Sequence, residues 1–167
     1  MKKFVLILAM ICMAAPTMAF ENVTPYDAYT MAKGDSNIYI LDVRTLAEWT
    51  WVGHPGKNKN VNPVGGDLDG KVVNVSNLVE IQNEMVENPF FLKNVEQMFP
   101  DKENVTLITM CRSGGRSVAA ANALEAAGYV NVVNMLTGFE GGKDADGYRT
   151  VNGWKNYGLP YNNSGDG

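Results

Sequence analysis

Cys111 is followed by Arg112, Ser113, Gly114, Gly115, Arg116 and Ser117, and this short run holds most of the chemistry the chain can offer. The thiolate, not the thiol, is the nucleophile, and a cysteine beside fixed positive charge and unpaired backbone N–H groups ionises more readily than a free one. Arg112 and Arg116 carry permanent charge. Ser113, Gly114 and Gly115 can turn their N–H groups inward as an anion cradle, because glycine admits the dihedrals this needs. The expectation is an ionised, catalytic Cys111 framed by Arg112, Ser113, Gly114, Gly115, Arg116 and Ser117 as substrate-binding residues.

The elements around the loop place it. An apolar, β-prone run over 106–110 leads into Cys111, and an alanine-rich run over 118–127 leads away to Gly128. That order is strand, loop, helix, with the helix ending at the glycine. Cys111 then lies at the carboxyl edge of a parallel strand, where ligands bind in open α/β sheets, and beside the positive end of a helix. Further strands are expected over 38–43, 72–75 and 130–136. Thr24 before Pro25 and Asp27, and Thr45 before Glu48, read as helix starts with capping boxes. Helices are expected over 78–87 and 92–99, bounded by Pro89 and Pro100. The Gly-, Pro- and Asn-rich stretch 53–70 reads as a long loop. Strands alternating with helices predict an α/β fold with a parallel sheet and helices on both faces.

With these residues in view, the chain resembles the rhodanese family, sulfurtransferases that carry sulfur as a cysteine persulfide. Cys111 to Ser117 is similar to that family's active-site loop. Leu41-Asp42-Val43-Arg44 with Glu48-Trp49, His54-Pro55-Gly56, Gly128-Tyr129, Leu136 with Gly138, and Trp154 with Gly158-Leu159-Pro160 follow in the family's order. The resemblance implies a small central parallel sheet flanked by helices, and a sulfane sulfur taken from thiosulfate or a related anionic donor onto Cys111. The acceptor is then cyanide, a thiol or a protein. A second reading keeps the same chemistry but makes the chain a persulfide relay and binding module between protein partners. A third is a cysteine phosphatase or arsenate reductase; those families place five residues between cysteine and arginine, where this chain has four. No obvious general acid for such an enzyme lies nearby in sequence, although Asp42 could approach in space.

The rest of the composition narrows the setting. Lys2 and Lys3, an apolar run over 4–15 and small residues at Thr17 and Ala19 read as a signal peptide over 1–19, cleaved before Phe20. The run is shorter than the ~20 residues a bilayer span needs, so no membrane insertion is expected after cleavage. The expected mature chain has twelve Lys and Arg against eighteen Asp and Glu, a net charge of −6, which argues against nucleic acid as a partner. It also keeps one cysteine of two, Cys111, so no internal disulfide is expected in a periplasmic or secreted setting. Flanked by arginines, Cys111 is expected not to be buried. One histidine and one thiol give no metal-ligand cluster, and no cofactor is expected. His54 is read as shaping a turn, Arg44 as an ion-paired support to Asp42 or Glu48, and Trp49, Trp51, Trp154 and Tyr157 as core or lid aromatics. Residues 53–70 and 142–149 are longer than the family pattern. If they border the site, Lys57, Lys59, Lys143 and Arg149 would meet an anionic donor. One domain over 20–161 and a disordered tail over 162–167 complete the expectation.

Overall fold

The computed structural model describes residues 20–56 and 68–162. The leader at 1–19, Lys57 and Lys59, and residues 163–167 lie outside the described residues. In chain order the elements are β1 (Glu21–Val23), α1 (Pro25–Gly34), β2 (Ile38–Asp42), α2 (Leu46–Val52), β3 (His54–Pro55), β4 (Val72–Asn74), β5 (Leu78–Ile81) and β6 (Glu84–Glu87). They continue with α3 (Phe91–Met98), β7 (Thr106–Met110), α4 (Gly115–Ala126), β8 (Asn131–Met135), β9 (Gly142–Lys143), β10 (Arg149–Val151) and β11 (Tyr161–Asn162).

Five strands form one parallel sheet in the order β1-β8-β7-β2-β4. Its central strand is β7, so the loop that follows Met110 emerges from the middle of the sheet's carboxyl edge. Side chains alternate between the faces of a strand. Leu41, Leu107 and Val132 pack with Val95 and Phe99 of the α3 region and Leu124 of α4 on one face. Ile40, Ile108 and Val133 pack with Ala28, Tyr29 and Ala32 of α1 on the other, together with Trp154. Helices therefore cover both faces, as the strand–helix alternation predicts. Both expected capping boxes form: Thr24 with Asp27 opens α1, and Thr45 with Glu48 opens α2. Among the described residues, no helix is long and apolar enough to cross a membrane.

Two expectations about local structure are corrected. Residues 78–87 form an antiparallel hairpin, β5 with β6, not a helix. Its two turn residues, Gln82 at φ 54° and Asn83 at φ 66°, both take the left-handed conformation that two-residue hairpins of this handedness require. Leu78, Ile81 and Met85 mimic helical spacing, yet the branched Val79, Ile81 and Val86 suit strands, and the polar pair between them turns the chain. The double substitution Gln82→Asn with Asn83→Gly supplies the residues this turn prefers. It is expected to raise stability by about 0.5 kcal/mol in urea unfolding, whereas in a helix the added glycine would lower it. The expected tail also begins too early, since Asn162 is buried and pairs in β11 with His54 of β3.

The stretch 142–151 is a small antiparallel pair, β9 with β10. The Asp144 carboxylate closes its turn by accepting from the backbone N–H groups of Asp146 and Tyr148 and from the Thr150 hydroxyl.

Candidate functional site

The loop after β7 folds back on its own sulfur. Gly114, at φ 113°, ends the loop and caps α4, which starts at Gly115. The Gly114 N–H donates to Cys111 Sγ at 3.1 Å. Cys111 Sγ lies 3.6 Å from Ser117 Oγ, and the Ser117 hydroxyl donates to the Gly114 carbonyl at 2.8 Å. Of the expected frame, Gly114 and Ser117 meet the sulfur, while Arg112, Ser113 and Gly115 face solvent. The Arg112 guanidinium has no side-chain partner among the described residues.

Cys111 is buried, with only 1% of its surface exposed, contrary to the expectation drawn from its charged neighbours. The cause is strand alternation. Cys111 continues the inward positions Leu107 and Thr109, and its side chain enters the apolar cluster that contains Val43, Val75, Phe91 and Ala120. The arginines line the mouth, not the sulfur's own surroundings.

Arg116 is held by Glu48. Nη1 donates to Oε2 at 2.7 Å and Nη2 to Oε1 at 2.6 Å, a two-pronged bond across 68 residues of sequence. Partial burial alone would raise the Glu48 pKa, but the Arg116 hydrogen bonds and charge, with the Thr45 N–H and hydroxyl, hold it at about 2 against an ordinary 4.5. A carboxylate depressed in this way stabilises the fold above about pH 4.5, and the contribution fades as pH falls towards 2. Glu48→Gln is expected to cost about 1–2 kcal/mol at pH 7, with allowance for solvent around a partly exposed pair. Urea unfolding should also show a flatter loss of stability between pH 4.5 and 2 in the variant than in the unaltered protein.

Arg44 pairs with Asp42, one of the two partners expected for it. Its Nη2 lies 2.6 Å from Asp42 Oδ2, and neither side chain is exposed. Nη2 also donates to the Gly53 carbonyl at 2.7 Å, and the guanidinium stacks 4.2 Å from the Phe139 ring centre. Phe139 in turn braces the cysteine loop. Its N–H donates to the Cys111 carbonyl at 2.8 Å, and the Glu140 N–H donates to the Arg112 carbonyl at 2.9 Å. Across the loop the Asn77 Nδ2 donates to the Arg116 carbonyl at 3.1 Å.

The remaining candidates resolve individually. His54 is buried and stacked on Trp49, ring centres 3.7 Å apart, with Nδ1 3.0 Å from the Pro55 carbonyl. Trp154 is fully buried and Trp49 nearly so; Trp51 stands 83% exposed and Tyr157 is exposed. Arg149 donates to the Gly141 carbonyl at 2.6 Å and faces Glu140, so it binds its own hairpin. Neither Lys143 nor Arg149 lines the cavities beside Arg112 and Arg116. One such cavity, of about 650 Å³, opens between α2 and the β5–β6 hairpin and is lined by Glu48, Leu78, Met85, Arg112 and Arg116. Sequence reasoning reached every residue of the cysteine loop but not Gly138, Phe139 or Asn77 as its supports, since these contacts span long stretches of chain.

Comparison with known proteins places the fold. The chain is 34% identical over 145 residues to the uncharacterized protein RC0915 of Rickettsia conorii, covering 86% of this chain and 98% of that one. The crystal structure of Rv0390 from M. tuberculosis superposes with a TM-score of 0.70 at 31% identity, over 87% of this chain and 100% of that one. The polysulfide-sulfur transferase homodimer of Wolinella succinogenes shares the fold, with a TM-score of 0.55 at 19% identity over 86% of this chain and 78% of its own. The model of the rhodanese-like domain matches residues 24–145, the span from the first helix cap through the cysteine loop and its bracing segment, and the chain belongs to the rhodanese-like family.

Proposed function

We propose that the protein is a sulfurtransferase that carries a sulfane sulfur on Cys111 as a persulfide. The observation that carries this reading is the Gly114 N–H bonded to Cys111 Sγ at the amino end of α4, which holds the sulfur at the loop that precedes the helix. In the first step the thiolate attacks the outer sulfur of thiosulfate or a related donor. The new Sγ–S bond forms as the donor's S–S bond breaks, and sulfite leaves with the electron pair. In the second, a thiophilic acceptor (cyanide, a thiol or a protein) attacks that outer sulfur and Cys111 departs as thiolate. Arg112, whose guanidinium has no side-chain partner among the described residues and which lines the open cavity, is the residue assigned to the donor's charge. Arg116, neutralised by Glu48, keeps the loop in shape.

Intact mass of residues 20–167 after incubation with thiosulfate and removal of excess donor tests the reading. A gain of one sulfur that cyanide removes is the expected result; no gain would count against it. The burial of Cys111 favours a second form of the same chemistry, a relay whose protein partner opens the loop. Steady turnover with free thiosulfate and cyanide decides for the enzyme over the relay. The proposal places the mature chain in the periplasm or outside the cell, on the leader pattern of residues 1–19.

A further inference from the structure

The cavity between α2 and the β5–β6 hairpin opens beside the cysteine loop, and the charged side chains that line it are Glu48, Glu80, Arg112 and Arg116. Glu48 and Arg116 cancel in their two-pronged bond, which leaves Arg112 against Glu80 and a lining with no net charge. Leu46, Leu78, Val79 and Met85 supply apolar wall, and Leu46 and Met85 stand 68% and 48% exposed. In the hairpin register Met85 lies opposite Glu80, so the acid and the apolar wall share one face. At about 650 Å³ the space is of the size that takes an organic molecule, and thiosulfate, a compact dianion, fills little of it. A dianion leaving water needs compensating charge that this lining supplies only once, through Arg112, and that Glu80 opposes. The exposed leucine and methionine gain nothing from thiosulfate, whereas an apolar body laid over them removes their surface from water.

We propose that the cavity selects a monoanionic organic sulfur donor, an apolar body bearing one terminal sulfane sulfur, over inorganic thiosulfate. Organic thiosulfonates have this form. Arg112 meets the single charge, Leu46, Leu78 and Met85 cover the body, and Glu80 disfavours a second negative charge. The Cys111 thiolate forms the new Sγ–S bond to the donor's outer sulfur as the donor's S–S bond breaks. A sulfinate leaves with the electron pair, so the step needs no oxidant, reductant or proton. Leu46, Met85 and Glu80 are thus specificity-determining residues. The inference rests on the sulfurtransferase reading of the same site.

Benzenethiosulfonate and methanethiosulfonate carry the same reacting group on a large and a small body, and thiosulfate adds the second charge. The test is the rate of sulfur gain by the protein, followed by intact mass for each donor and divided by that donor's rate with free cysteine. The expected order is benzenethiosulfonate about tenfold above methanethiosulfonate, with thiosulfate below both. Leu46→Gln with Met85→Gln keeps the charge and removes apolar wall, and should bring the phenyl advantage down to about twofold. Glu80→Gln should raise the thiosulfate rate relative to methanethiosulfonate by about threefold. Equal rates for the two thiosulfonates, thiosulfate loading fastest, a phenyl advantage unchanged in the folded double variant, or an unmoved thiosulfate ratio in Glu80→Gln would each overturn the proposal while leaving the sulfurtransferase reading in place. No sulfur gain from any of the three donors overturns both.

Discussion

Gly138→Ala is expected to lower stability by at least about 3 kcal/mol, a fall of roughly 10 °C in Tm for a chain of this size. A Cβ at this position would stand 2.2 Å from the Cys111 carbonyl oxygen and 2.9 Å from the carbonyl carbons of Cys111 and Arg112. These are backbone atoms, held from the other side by the sheet, so no side-chain rotation relieves the clash. The Cys111 oxygen is also the acceptor for the Phe139 N–H, and pushing it away breaks that bond and the Glu140-to-Arg112 bond beside it. Left-handed φ at Gly138, 58°, adds the ordinary strain of a Cβ in that region, about 1 kcal/mol. Gly147→Ala separates the two causes. It shares the left-handed conformation, φ 90°, but its Cβ would meet nothing within 4 Å, so it should lose only the strain. Thermal denaturation of both variants decides the matter, and equal losses would mean that the close approach at Gly138 is not what holds the loop.

The contrast between those two glycines shows what a sequence can and cannot disclose. Apolar runs over 38–43, 106–110 and 130–136 become β2, β7 and β8, largely buried between helices on both faces, and 72–75 becomes the half-buried edge strand β4. The capping boxes are legible because their partners lie three residues apart. Edge strand β1, only three residues long, leaves too short a pattern to read. In the hairpin over 78–87, residues at positive φ decide the outcome, and neither Gln82 nor Asn83 is the glycine that usually announces such a turn. The cysteine loop was visible as a motif, but its environment was not. Glu48 reaches Arg116, and Gly138 reaches Cys111, through tertiary contacts that no local spacing encodes. The burial of Cys111 shows the same limit: charged neighbours in sequence point outward while the sulfur follows the strand's inward alternation.

Cys111→Ser is expected to abolish sulfur uptake and to reduce thiosulfate-to-cyanide transfer by at least about 10⁴-fold while leaving the fold intact. Serine fits the same buried space, and its oxygen accepts the Gly114 N–H that now bonds to Sγ. The loop and the cap of α4 therefore persist. What disappears is the chemistry: a hydroxyl is a far weaker nucleophile towards sulfur than a thiol, and it holds no sulfane sulfur. Cys111→Ala loses transfer equally but leaves the half-buried Gly114 N–H without its acceptor, so it should also lose about 1 kcal/mol of stability. The serine and alanine variants thus divide the sulfur's structural role from its chemical one. Transfer retained above about 1% in the serine variant would place the reacting atom elsewhere. The burial of Sγ adds a kinetic expectation. At 1% exposure, a reagent reaches it only when the loop opens, so alkylation by iodoacetamide should be at least about tenfold slower in the native protein than in urea. An anionic donor drawn to Arg112 at the mouth arrives where that opening occurs, which gives thiosulfate an advantage over a neutral alkylating reagent. Raising the salt concentration should therefore slow sulfur uptake from thiosulfate and leave alkylation by neutral iodoacetamide nearly unchanged.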